Sequence, residues 1–282
     1  MQKDQGTLYV VATPLGNLDD LSPRAVRQLN ACDRILAEDT RHSRKLLEHY
    51  AITTPMQAYH DFNEAGKVTM IIGQLQGGLS MALISDAGTP LINDPGFKLV
   101  NAAHKAGIPV VTVPGPSAVI AALSVAGLPT DRFVFEGFLP DKRVARKRHL
   151  QSLANEQRTL VFYEVPHRIR ATLDDLSAIF GQDRQAVIAK ELTKQHENVR
   201  RGTLEELIAW LDEDTSRQKG EFVLMVSGAT PLGIPEQEAR RILSILMREM
   251  SLKQAVAVAA DILGESKNRL YKLALEMKEI PD

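Results

Sequence analysis

Met81-Ala82-Leu83-Ile84-Ser85-Asp86-Ala87-Gly88-Thr89-Pro90-Leu91-Ile92-Asn93-Asp94-Pro95-Gly96 is the stretch on which the fold turns. Its first four residues are a short apolar run, too brief for a helix and suited to a buried strand. From Ser85 the chain changes to loop chemistry, with Gly and Pro at close spacing. The same change recurs on both sides. Thr7–Ala12 is an apolar, β-branched run that stops at Thr13-Pro14-Leu15-Gly16-Asn17, and Pro109–Val113 stops at Pro114-Gly115-Pro116-Ser117. Between these lie helical segments: one opened by Ser22-Pro23, one through Leu46 and Leu47, and one over Lys98–Ala106 that ends at Gly107. A further strand, Asp33–Ala37, ends at Glu38-Asp39-Thr40-Arg41-His42. Strands separated by helices of about ten residues predict an α/β fold with a mainly parallel sheet.

In such a sheet ligands bind outside the carboxyl ends of the strands. An ordinary strand-to-helix turn explains any one Gly/Pro loop; three at one sheet edge are better explained by a cofactor cleft. The chain has no G-x-G-x-x-G and no G-x-x-x-x-G-K-[ST], so neither nucleotide fingerprint applies. Glu38, about 20 residues after Gly16, stands where a dinucleotide site keeps its ribose-binding acid, although that spacing arises in any β-α-β unit.

The second half is a further α/β unit. Its strands are expected at Thr159–Tyr163, Ala186–Lys190, Glu197–Arg201 and Phe222–Val226, its helices at Arg168–Phe180 and Leu204–Leu211. Residues 137–149 read as a boundary and 231–235 as a linker, dividing the chain into 1–138, 139–230 and a helical 231–282. Over 282 residues, 44% are hydrophobic and 24% charged, which excludes a disordered chain. The net charge of -1 means that a nucleic-acid partner has to be met by a local patch. One cysteine, Cys32, excludes an internal disulfide and a cysteine metal cluster, and no metal site is expected. The longest apolar run, Ala118–Leu128, is far short of the roughly 20 residues of a membrane span, so a cytoplasmic protein without a membrane partner is expected.

Two basic features stand out. Lys142, Arg143, Arg146, Lys147 and Arg148 form a run without an acid, either a solvated helix face or a phosphate contact, and Arg41 and His42 extend it along the sheet edge. In the tail, Ala260, Gly264, Ser266 and Leu270 are spaced as in a helix-turn-helix, with Lys267, Arg269 and Lys272 on the second helix. A helical hairpin packing on the body is the competing explanation.

The loop motifs, with Phe135-Glu136-Gly137-Phe138-Leu139-Pro140, Phe162-Tyr163-Glu164 and Lys190-Glu191-Leu192-Thr193-Lys194, occur in an order that resembles the tetrapyrrole methylase superfamily over essentially the whole chain. The resemblance is to a branch acting on ribosomal RNA. It implies two α/β domains with S-adenosylmethionine (SAM) in the cleft between them, followed by a small helical domain. It implies a homodimer and 2′-O-methylation of a cytidine in the decoding region of 16S ribosomal RNA, free or within the 30S particle. The cofactor contacts it implies fall on Leu15, Gly16, Asp86, Gly88, Thr89, Ser117, Ala118, Tyr163, Leu192 and Gly220. It also frees Glu38 from a ribose role. A base for a ribose hydroxyl is sought among Asp94, His60 and Lys194. Each has another reading: Asp94 as a helix N-cap, His60 as a structural or substrate-binding residue, Lys194 as a phosphate contact. The alternatives for the whole chain are a methyltransferase of a tetrapyrrole precursor and a non-catalytic, SAM-sensing nucleic-acid binder.

Overall fold

The computed structural model describes residues 5–59, 64–230 and 236–279. Two compact units result, Met1–Gly228 and Ala229–Asp282. Within the first, β1 (Leu8–Val11), β2 (Arg34–Ala37), β3 (Met56–Ala58), β4 (Met81–Ile84) and β5 (Val110–Val113) form a sheet of order β3-β2-β4-β1-β5. Every pairing in it is parallel, as the alternation predicts. The helices α1 (Pro23–Ala31) and α2 (Thr40–His49) bury Ala25, Leu29, Leu46 and Leu47 on one face, with Leu21 just ahead of α1. On the other face α3 (Glu64–Gln76) and α4 (Phe97–Lys105) bury Ile71, Leu75, Leu99 and Ala103. The Ser22 hydroxyl accepts a hydrogen bond from the Ala25 amide, capping α1 with Pro23 in its first turn, as the sequence implies.

This winding has one reversal. From β1 the chain crosses to β2 on one side, and from β4 it crosses to β5 on the other. β1 and β4 are neighbours, so the loops after them open apart at a topological switch point, the place where doubly wound sheets hold ligands.

The second sheet holds β6 (Phe133–Phe138), β7 (Thr159–Glu164), β8 (Gln185–Lys190), β9 (Asn198–Thr203) and β10 (Phe222–Val226), in the order β6-β7-β10-β8-β9. Only β6 and β7 pair in parallel; the other three pairings are antiparallel. β10 shows the period of two that a sheet buried on both faces requires. Phe222, Leu224 and Val226 face the layer of α6 (Arg143–Leu153), α7 (Ile169–Phe180) and α8 (Leu204–Glu213). Val223 and Met225 face α5 (Ala118–Ala126), which buries Val119, Ala122, Leu123 and Ala126. Since α5 follows β5, it carries the chain from one sheet onto the other. Residues 133–138, ahead of the expected boundary, are the edge strand of this second sheet.

The unit Ala229–Asp282 contains α9 (Glu236–Glu249), α10 (Leu252–Leu263) and α11 (Lys267–Glu279) around Leu243, Ala259, Ala260, Leu270 and Ala274. Gly264 ends α10 at φ 61°, and the Ser266 hydroxyl accepts from the Arg269 amide at 3.4 Å to start α11. The helix-turn-helix spacing is thereby realised as a turn. No helix among the described residues is long and apolar enough to cross a membrane.

Candidate active site

Thr13 and Gly88 join the two switch-point loops: the Thr13 amide donates to the Gly88 carbonyl at 2.8 Å, and the Gly88 amide to the Thr13 carbonyl at 3.0 Å. The Thr13 hydroxyl, itself buried, donates to the Ser85 carbonyl at 3.1 Å. The Thr89 hydroxyl reaches the Pro116 carbonyl at 2.9 Å, drawing in the third Gly/Pro loop. These bonds fix the floor of a cavity of about 390 Å³, within the usual range for a small-molecule site.

The second sheet supplies the roof. Because β10 runs antiparallel to β7 and β8, its beginning and their ends share one edge, and Tyr163, Leu192 and Val223 line the cavity. Of the residues expected at the cofactor, Leu15, Asp86, Gly88, Thr89, Ser117, Ala118, Tyr163 and Leu192 line this one cavity. Gly16 and Gly220 are not in its lining; they pack against Lys194 and Glu191 respectively. The cavity also includes Glu38, Glu164, Val165 and Pro166, which sequence reasoning did not assign to the cofactor, and Glu221, from the Lys219-Gly220-Glu221 loop onto which the resemblance carries the cofactor contacts. Glu164 had a signal: it is a carboxylate closing an otherwise apolar strand, and it is buried. Its oxygens accept from the Val165 amide at 2.8 Å, Arg168 Nε at 3.0 Å and the Thr172 hydroxyl at 2.6 Å. That shapes the Val165-Pro166 wall. Asp86 Oδ1 accepts from the Asp39 amide at 3.1 Å, joining the β2 loop to the site.

Asp94 lines the cavity and is not an N-cap: α4 is entered through Gly96, without a side-chain cap. The backbone bends sharply on the way. Leu91 and Asn93, with φ of 73° and 68°, occupy the left-handed region that side chains rarely adopt. The fold holds Asn93 there through Gly137, where any Cβ would lie 2.5 Å from Asn93 Oδ1. β6 has a register shift between Phe135 and Gly137, and that bulge gives Asn93 its place. Burial pushes the Asp94 carboxyl up to about 6, with the Asp86 charge adding to the rise and a hydrogen bond from Ser85 opposing it. Tyr163 is pushed up to about 12 by burial and by the charge of Asp94, so it remains a phenol.

Lys194 is corrected from a base to a clasp. Its ammonium lies 3.1 Å from Glu191 Oε1 and 3.0 Å from Glu221 Oε2. Burial alone would favour the neutral amine, but the two carboxylates outweigh it and hold Lys194 above the ordinary lysine value. A charged amine cannot accept a proton. Its stem lies over Gly16, where a Cβ would come within 2.3 Å of Lys194 Cγ. That carbon cannot swing aside without disturbing both ion pairs. Gly16→Ala is therefore expected to destabilise the protein by about 1–3 kcal/mol, the usual range for overpacking. Lys194→Ala in the same chain should relieve most of it. Urea unfolding of the two single variants and the double closes the cycle. His60 lies outside the described residues.

The basic run is corrected at one position. Arg146 is buried, 4% exposed, with its guanidinium 2.8 Å from the fully buried Asp175 and 3.3 Å from the Asp141 carbonyl. Arg143 and Lys147 lean on the same carboxylate at 3.0 and 3.7 Å. The run thus has its acid after all, 29 residues further along. Lys142 and Arg148 remain exposed, as do Arg41 and His42 on α2 and Lys267 and Lys272 on α11; Arg269 pairs with Glu265. Among the described residues no cluster of His, Cys, Asp or Glu could hold a metal ion.

Comparison with known proteins agrees with this geometry. Residues 7–208 match the family described as Tetrapyrrole (Corrin/Porphyrin) Methylases, and residues 234–278 match the RsmI C-terminal HTH domain. The fold recurs in uroporphyrin-III C-methyltransferase from Thermus thermophilus complexed with S-adenyl homocysteine, at 18% identity and a TM-score of 0.54 over 79% of this chain and 97% of that one. It recurs in diphthine synthase, at 15% identity and a TM-score of 0.60 over 79% and 90%. Fold and cleft together define a methyltransferase of the tetrapyrrole methylase class. Proteins named ribosomal RNA small subunit methyltransferase I are much closer in sequence. That of Pseudomonas aeruginosa is 53% identical over 96% of this chain and 97% of its own length. That of Escherichia coli O157:H7 is 50% identical over 97% and 96%. The chain belongs to the ribosomal RNA small subunit methyltransferase I family of tetrapyrrole methylases.

Proposed function

We propose that the protein transfers the methyl group of SAM to the 2′-hydroxyl of a cytidine in the decoding region of small-subunit ribosomal RNA. The observation that carries this reading is likeness over nearly the full length, tail included, to relatives whose name specifies that RNA. The tetrapyrrole alternative is weaker, because the ribosomal RNA relatives are 53% and 50% identical over nearly the whole chain. A cytoplasmic homodimer acting on the 30S particle or its RNA is part of the same reading.

The cavity suits SAM in chemistry as well as in volume. Apolar walls from Leu15, Ala118, Leu192 and Val223 face the polar groups of Asp86, Thr89 and Ser117. The Ser117 hydroxyl is not used to cap α5 and is left for a ligand. Bound SAM supplies a methyl group already activated on a sulfonium. The chain has to orient the two partners, exclude water and take a proton from the ribose hydroxyl. Asp94 is suited to accept that proton, because it is ionised at neutral pH yet far more basic than an ordinary aspartate.

The deciding experiment is methyl transfer from labelled SAM to small subunits lacking the modification, with free RNA in parallel. The product is mapped by resistance of the modified ribose linkage to alkaline cleavage. Label at one cytidine 2′-oxygen is the expected result. Bound SAM with no label on particle or RNA would overturn it.

A further inference from the structure

Several exposed or half-exposed arginines on helices and turns outside α1 and α2 are paired with carboxylates. Arg170 meets Asp212, Arg217 meets Glu213, Arg240 meets Glu236 and Arg241 meets Glu238. That is how a solvated helix face ordinarily manages its charge. The outer face of α1 and α2 instead gathers several cations with few acids among them. Arg24, Arg27, Arg41, Arg44 and Lys45 are all exposed there, and Glu48 is the only acid within either helix. Among the described residues no carboxylate lies within ion-pair distance of Arg24, Arg27, Arg44 or Lys45. In a chain of net charge -1, such a surplus on one face is a local concentration and not a general excess.

Its position gives it a use. α1 and α2 both pack on one face of the first sheet, over Val11, Ile35, Ala37 and Ile84. Both start at the cleft. α1 follows the loop carrying Leu15, through a 3₁₀ turn at Leu18–Asp20. α2 starts at Asp39, whose amide is hydrogen-bonded to Asp86 of the cavity wall and whose carboxylate caps the helix. The Tyr50 hydroxyl donates to the Leu18 carbonyl at 2.6 Å, fastening the far end of α2 to the turn ahead of α1. The cations therefore sit on the outer face of two helices that both start beside the cleft. Unpaired guanidinium groups on a rigid support are suited to phosphates, which they bind through paired N–H groups.

We propose that this face is the phosphate track of the RNA substrate. Arg24, Arg27, Arg44 and Lys45 hold the backbone of the strand whose nucleotide enters the cleft. The proposal rests on the RNA reading above and extends it beyond the basic run at residues 142–148. Base edges play no part in it, so the track contributes affinity and register without sequence preference.

The experiment compares the full-length protein with a variant carrying Arg24→Gln, Arg27→Gln, Arg44→Gln and Lys45→Gln. A control carries Arg170→Gln and Arg217→Gln, which removes paired cations. Binding to small subunits is measured across a salt series, and SAM binding and methyl transfer are measured alongside. The quadruple variant should bind SAM normally, showing that it is folded. Its plot of log affinity against log salt should be shallower by about 3, from roughly 0.7–0.9 per phosphate contact. At near-physiological salt it should bind particles at least about tenfold more weakly. The control should keep the wild-type slope. An unchanged slope in the quadruple variant, or an equal loss in the control, overturns the track. If the wild-type protein binds particles with a slope that depends on these four residues but never transfers methyl, the proposed reaction falls and the track stands. If it binds no RNA at all, both fall.

Discussion

Asp94→Asn should lower the rate of methyl transfer by about 10²–10⁴-fold, the usual contribution of a positioned base, while making the protein more stable. The two effects have one cause. Burial raises the Asp94 carboxyl from 3.8 to about 6, so the fold favours its protonated form. Between those values the folded chain binds the proton more tightly than the unfolded chain does. Stability therefore falls as pH rises from about 4 to about 6, and at neutral pH the ionised carboxylate is a net burden. A shift of about two units corresponds to roughly 3 kcal/mol, reduced to about 1–2 kcal/mol because Asp94 is only partly buried. Asparagine has almost the same shape and carries no charge, so it should recover that amount in urea unfolding at pH 7. Activity has the opposite sign. The base works when ionised, so kcat/KM should rise with pH through a limb near 6, and the limb should vanish in the variant. A purely structural Asp94 would lose stability on substitution and leave the limb intact. A loss of only a few-fold in rate, with the limb kept, would assign the proton to another group.

The parts of this site that were legible in the sequence are those carried by short, local chemistry. Three strands ending in Gly/Pro loops are enough to place Asp86, Gly88, Thr89 and Ser117 at one sheet edge, because parallel strands with crossover helices bring their carboxyl ends together. Leu270, Gly264 and Ser266 were readable for the same reason, each meeting a requirement of one turn. The rest depended on pairings across the chain. Phe133–Phe138 has the composition of a strand, but its bulge at Gly137 makes sense only once Asn93 is seen against it. The antiparallel entry of β10 between β7 and β8 is not written in its apolar run, and that entry brings Val223 and Glu221 to the roof. Lys194 was singled out for its place in a motif. Its neighbours Glu191 and Glu221, which give it a charge-fixed structural role, converge on it only in the folded chain.

The basic run at 142–148 leads to the second large effect. Counted along the chain it is five cations without an acid; in the fold it is a surface sheath around a buried ion pair. Asp175→Ala is expected to destabilise the protein by about 3–5 kcal/mol. It leaves the Arg146 guanidinium buried, with the Asp141 carbonyl as the remaining partner that its hydrogen bonds show. At about 2–4 °C per kcal/mol for a domain of this size, the melting temperature should fall by roughly 10 °C. Arg146→Met together with Asp175→Leu should restore most of the loss, because replacing both charges with apolar groups of similar volume removes the desolvation of each. The exposed Arg143 and Lys147 lose a partner in that double variant, which matters little for groups already facing water. Were Arg146 an RNA contact, the double variant would be stable and poor at binding small subunits. As a core residue, it should give a double variant whose salt dependence of binding matches wild type. Thermal unfolding and the salt series on the same proteins separate the two roles: a mild loss of stability in Asp175→Ala, or a flattened salt slope in the double variant, would return Arg146 to the RNA surface.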